Sequence, residues 1–126
     1  MLSDFTPMPT LAVKDLAAAR AFYEGVLGFA PTGDAPDMAL YTSGAGQFLV
    51  YPSSFAGTNK ATYMAFQVPA AEFDSHVEAL RSQGIEFQTF DYPGITWTDG
   101  IADLGSQRAV WFADPDGNIL NLETPA

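Results

Sequence analysis

The strongest constraint on this chain is an internal echo. Val68 stands 55 residues after Val13, and Val77 stands 55 after Phe22. Gly84 and Ile85 follow Gly28 and Phe29 by 56 residues, and Gly117, Ile119 and Leu120 follow Gly46, Phe48 and Leu49 by 71. Between these matches each half reads as a strand, a helix and then further strands, with apolar residues alternating in the strands and recurring at helical spacing between them. The spacing grows through the second half, which therefore carries a longer loop. The expectation is an α+β fold of two βαβββ modules, about residues 5–55 and 61–126, within a single domain spanning residues 1–126.

Local signals place the elements. Residues 8–16 alternate as a strand. Asp15 caps a helix whose Leu16, Ala19, Phe22, Tyr23, Val26 and Leu27 share one face, and Gly28 stops it. Residues 29–34 suggest a short strand and a turn. Residues 38–53 suggest a hairpin turning at Ser43-Gly44-Ala45-Gly46. Residues 55–60 form a loop, residues 61–69 another strand ended by Pro69, and a second helix puts Phe73, Val77 and Leu80 inward before Gly84. Residues 85–91 read as a strand and residues 92–105 as irregular. Residues 106–124 read as a hairpin in which Asp114 and Pro115 set a type I turn and Gly117 takes the left-handed position after it.

Charge narrows the partners. Fifteen acidic residues against five basic ones give a net charge of −10. That opposes nucleic acid and anionic membranes, both of which need basic residues, and it suits cationic ligands as well as plain solubility. With no cysteine there is no disulfide, thiolate metal site or cysteine nucleophile. MLSDFTPMPT has neither a signal-peptide nor a spanning pattern, so a cytoplasmic location is expected. No nucleophile elbow or phosphate loop occurs.

Two stretches carry a resemblance. TLAVKDLAAARAFYEGVLGF (residues 10–29) resembles the first strand and helix of the vicinal oxygen chelate proteins, which include glyoxalase I, bleomycin-resistance proteins and extradiol dioxygenases. AVWFADPDGNILNLETP (residues 109–125) resembles their last hairpin. The resemblance implies a half-open, curved mixed sheet around a cavity, with the helices outside and two chains paired as a homodimer. It also implies four cavity-facing strand positions that carry His or Glu in the metalloenzymes. Matched by motif, these are Met8, Val50 (Tyr51 if the register slips by one), Tyr63 and Asn121.

That placement accounts for an oddity of the last strand, a polar Asn121 between Leu120 and Leu122. It also removes the metal. A thioether, an alkyl group, a phenol and an amide do not make a site for Zn, Ni, Fe or Mn, and the chain's single histidine, His76, falls at the edge of the second helix's packing face. No metal or other cofactor is expected.

Alternation along the strands adds Thr10 and Ala12 beside Met8, Phe48 beside Val50, Ala65 beside Tyr63 and Ile119 beside Asn121. The loop DYPGITWTDGIADLG (residues 91–105) brings Trp97 among carboxylates, a combination suited to a planar or cationic ligand. Trp111 lies in a strand and fits a core or a pocket wall, and Arg108 suits an ion pair or a ligand anion. The expected ligand-binding set is Met8, Phe48, Val50, Tyr63, Trp97, Trp111 and Asn121, with no catalytic residue assigned. Three readings stay open. The first is a metal-independent protein of the bleomycin-resistance type that sequesters a hydrophobic, aromatic or cationic small molecule. The second is a glyoxalase- or dioxygenase-like lyase, isomerase or oxygenase with a displaced metal or none. The third is a partner-binding protein with a vestigial pocket.

Overall fold

A computed structural model describes every residue except Phe5, Asp34 and Ala126, together with all side chains of the remaining residues in its helices and strands except that of Leu2. The expected start of the first module at Phe5 and the end of the turn at Asp34 lie outside the described residues. The chain is α+β, with two mixed sheets, neither of them closed. It divides into two compact units: residues 1–60 with 114–118, and residues 61–113 with 119–126.

In the first unit, β1 (Thr10–Val13), β2 (Ala39–Ser43) and β3 (Gly46–Pro52) form a sheet in the order β1-β3-β2. β1 runs parallel to β3, and β2 and β3 form the expected hairpin, with Ser43 paired to Gly46. Gly44 takes φ +56°, which only glycine adopts at little cost. Helix α1 (Leu16–Arg20) begins where the Asp15 carboxylate accepts from the backbone N–H groups of Ala17 and Ala18. It continues as a π-helical segment over Ala21–Val26, in which the consecutive residues Phe22 and Tyr23 are both buried. Their rings meet those of Tyr41 and Phe48: Tyr23 lies 5.9 Å from Tyr41 and 5.6 Å from Phe48, centroid to centroid. Leu11, Val13 and Val50 complete this core. The strand expected in residues 29–34 is reduced to one bridge, Pro31 to Tyr41.

In the second unit the strand order is β4-β8-β7-β6-β5. The strands are β4 (Thr62–Gln67), β5 (Thr96–Thr98), β6 (Ile101–Asp103), β7 (Arg108–Ala113) and β8 (Ile119–Glu123). β4 runs parallel to β8, as β1 does to β3, which is the repeat read from the sequence. Helix α2 (Phe73–Ser82) buries Phe73 and Val77 and leaves His76 exposed. The Arg108 guanidinium lies 4.8 Å above the Phe73 ring and pairs with Asp74 at 2.9 Å. That ion pair fixes the helix-facing side of the sheet.

Two expectations are corrected here. Residues 85–91 contribute a single bridge, Gln88 to Trp111, rather than a strand. Residues 92–105 are not wholly irregular, because they hold the β5–β6 hairpin. Its turn is Asp99-Gly100, with φ +50° and +77°, the geometry an Asp-Gly pair favours in a two-residue hairpin. Among the described residues no helix is long and apolar enough to cross a membrane.

Candidate functional site

Strand register sorts the second sheet into two faces. Arg108 points to α2, so residues an even number of places along β7 from it, Val110 and Phe112, share the helix side, together with their partners Leu122 and Leu120. The other face carries Ala109, Trp111, Asn121, Glu123 and Ala65. Trp97 joins it through Ala102, which pairs with both Trp97 and Ala109. Leu120 and Leu122 therefore face the helix, and Asn121 between them faces away from it.

Three aromatic rings gather on this second face. Phe90 lies 4.9 Å from Trp111 and 5.3 Å from Trp97, and the two tryptophans are 6.0 Å apart. The two Phe90 contacts are edge-to-face, a favoured geometry for such rings. Phe90 is exposed and both indoles are half-buried. An open cleft of about 310 Å³ is bordered by Thr89, Phe90, Asp91 and Trp97.

Asn121 stands directly across the β7–β8 pair from Trp111 and across the β4–β8 pair from Ala65. It is 3% exposed, and its Nδ2 donates to the Val110 carbonyl at 3.1 Å. Tyr63 falls where β4 is irregular, between Thr62, opposite Ile119, and Met64, opposite Leu120. As the extra residue of this bulge it is half-buried at the edge of the face that carries Asn121.

The first unit holds the other expected residues and separates them. Met8 is 43% exposed and borders a cleft of about 320 Å³ with Pro7, Thr42 and Gln47. Phe48 and Val50 stand on the helix-facing side of β3 and are buried. Val50 pairs with the buried Leu11, Phe48 packs on Tyr23 and Tyr41, and both sit in the core beneath the helix. The register accounts for this placement. Thr10 pairs with Leu49 and Ala65 pairs with Asn121, so the strand counterpart of Asn121 is Leu49, one residue before Val50. A shift of one residue exchanges the faces of a strand. Leu49 and Tyr51 occupy the face opposite the core.

The resemblance to the vicinal oxygen chelate proteins implies a divalent metal at these positions, and the residues present do not fit one. Met8, Leu49 or Tyr51, Tyr63 and Asn121 supply no imidazole and no carboxylate. Among the described residues no three His, Asp or Glu side chains stand close enough to hold an ion.

One cluster was not anticipated as a cluster. Asp114, read only as a turn former, is buried with four hydrogen bonds on its carboxylate. Its Oδ1 accepts from the backbone N–H groups of Asp116 and Asn118, and its Oδ2 from Asn118 Nδ2 at 2.7 Å and Tyr23 Oη at 3.0 Å. Asn118 Nδ2 also donates to the Ala12 carbonyl, and Asp116 accepts from the Lys14 N–H. Burial, and then the Asp114 charge, raise the Tyr23 phenol far above its ordinary pKa. Both Asp114 carboxylate oxygens, the Tyr23 hydroxyl and the Asn118 amide nitrogen are engaged within the protein, and these bonds tie the turn at 114–118 to β1 and α1. The alternation around Asp-Pro-Asp-Gly-Asn carries no signal for a partner 91 residues away.

Comparison with known proteins agrees with this geometry. No curated protein matches the chain. Among solved structures, the fosfomycin resistance protein FosX from Mesorhizobium loti is similar at 17% identity and a TM-score of 0.69, over 98% of this chain and 93% of that one. FosX from Listeria monocytogenes, complexed with Mn(II) and sulfate, is similar at 18% identity and a TM-score of 0.71, over 97% and 90%. Lactoylglutathione lyase from Agrobacterium tumefaciens is similar at 19% identity and a TM-score of 0.68, over 94% and 92%. Residues 7–122 match the family described as the Glyoxalase/Bleomycin resistance protein/Dioxygenase superfamily, and with the paired sheets and helices of both units this chain belongs to that superfamily.

Proposed function

We propose that this protein binds and sequesters a hydrophobic, aromatic or cationic small molecule without using a metal, as a member of the bleomycin-resistance type. The observation that carries the reading is the Phe90–Trp97–Trp111 cluster on the sheet face turned away from α2. A core has no need of three half-exposed rings beside an open cleft, whereas ligand sites are commonly walled by aromatic groups with few polar ones. The side chains at the family's metal positions support the metal-independent part. Both tryptophans of the chain lie in the cluster, so intrinsic fluorescence reports on it alone. Titration with planar aromatic compounds should quench that fluorescence and raise the melting temperature, and Trp97→Ala should weaken binding by about 1–3 kcal/mol. A broad panel that changes neither signal would end the proposal.

A second reading is favoured by the neighbours, one of which is a lyase and one of which carries Mn(II). On it, this chain is a lyase-, isomerase- or dioxygenase-like enzyme with a metal held elsewhere or none. Elemental analysis after incubation with Zn, Ni, Fe and Mn tests the metal-dependent form of this reading: one tightly held ion per chain supports the enzyme and counts against metal-independent sequestration. Neither sheet closes on itself, so edge strands remain to be covered, and we propose a homodimer. A monomer mass by light scattering at high micromolar concentration would refute it.

A further inference from the structure

We infer that Asn121 is the hydrogen-bond acceptor of this aromatic site, and that its ligand is a planar cation carrying an N–H donor; the inference rests on the small-molecule reading above. The amide has a fixed polarity. Its Nδ2 donates to the Val110 carbonyl, and a flipped amide would set oxygen against oxygen. The Oδ1 is therefore the atom left over. It accepts from no described residue, yet the protein has no fully enclosed side-chain polar atom without a partner among the described residues, so Oδ1 keeps contact with solvent at the bottom of a side chain that is 97% covered. An acceptor held this way favours a ligand that donates to it and discriminates against one that cannot.

Charge gives the second half. Glu123 shares the face of Asn121 and Trp111, and Asp91 borders the aromatic cleft. The two arginines of this unit are committed to the helix side: Arg108 pairs with Asp74, and Arg81 pairs with Glu78 and donates to the Asp99 carbonyl. The face thus offers indole rings, an amide oxygen and carboxylates, with both arginines of this unit turned to the helix side. A flat cation stacks on the indoles by quadrupole attraction and directs its N–H toward Asn121.

Three probes test this: 9-aminoacridine, a planar cation with N–H donors; 10-methylacridinium, a planar cation with none; and 1-pyrenesulfonate, a planar anion. Each is titrated by tryptophan quenching. The aminoacridine should bind roughly tenfold tighter than the methylacridinium, since one hydrogen bond contributes on the order of 1.4 kcal/mol. Pyrenesulfonate should bind weakest. In Asn121→Leu the two acridines should bind alike. Equal binding of the two acridines to the wild-type protein would overturn the inference even if the variant does not fold, and so would a preference that survives Asn121→Leu. Pyrenesulfonate binding as tightly as the cations would overturn the charge argument while leaving the small-molecule reading intact. Failure of all three probes would remove that reading, and the inference with it.

Discussion

Tyr23 Oη donates to Asp114 Oδ2 at 3.0 Å, joining the π-helical end of α1 to a turn 91 residues later. Both groups are buried, so neither has water as an alternative partner. Tyr23→Phe should therefore destabilise the fold by about 1.5–3 kcal/mol, the range for a hydrogen bond to a charged group. Denaturant unfolding measures it; a loss below about 0.5 kcal/mol would mean that Asn118 and the backbone donors already satisfy the carboxylate.

Alkaline pH should reveal the same relationship. Burial first, then the neighbouring carboxylate, raises the phenols of both Tyr23 and Tyr41; Tyr41 donates to Glu24 Oε2 at 3.0 Å. In the unfolded chain a tyrosine loses its proton near pH 10, whereas in the folded chain these two keep theirs. The folded state then holds more protons, so stability is full below about pH 10 and falls above it, by about 1.4 kcal/mol per pH unit for each tyrosine. Unfolding curves between pH 9 and pH 11 should show the fall, and Tyr23→Phe should reduce its slope.

The register of β3 predicts opposite outcomes for adjacent residues. Val50 is fully buried on the helix side, and Tyr51 is 36% exposed on the other. Val50→Ala should cost about 1–3 kcal/mol and Phe48→Ala about 3–5, while Tyr51→Ala should cost under about 1. If Tyr51→Ala proved the costlier of the adjacent pair, the strand would be set one residue differently.

Arg81 should act on Trp97 from a distance. Its guanidinium donates to the Asp99 carbonyl in the β5–β6 turn and lies 5.4 Å above the Phe87 ring. Phe87 in turn abuts Gly100, where an added Cβ would stand 3.2 Å from the Phe87 Cβ. Arg81→Ala should lower stability by only about 1 kcal/mol yet loosen the hairpin that carries Trp97. Faster amide exchange at residues 96–103 with unchanged exchange in β8 would show it. Unchanged exchange in both would mean that the turn geometry alone holds the hairpin.

The sequence by itself determined the order of elements, because that order is written in short-range physics. Asp15 caps α1 through its own next turn, Gly44 and Gly117 take turn conformations that cost other residues more, and Val77 and Phe73 recur at helical spacing. The repeat carried further, to two modules of like element order, and the structure pairs β1 with β3 and β4 with β8 in parallel in each. The Asp99-Gly100 hairpin was missed, because the turn residues around it masked strands only three residues long.

The tertiary structure alone decided which face each strand presents. Alternation shows that Phe48 and Val50 lie together and that Leu49 and Tyr51 lie together, but it does not say which pair meets the helix. That depends on pairing with β1, where a slip of one residue exchanges core for surface at small local cost. The same holds for Asp114. A carboxylate in an Asp-Pro-Asp-Gly turn looks like a solvated turn former until Tyr23 is brought to it from the other end of the chain. The polarity of the Asn121 amide was likewise settled by a neighbouring strand, through a carbonyl that no local pattern in the sequence could have placed.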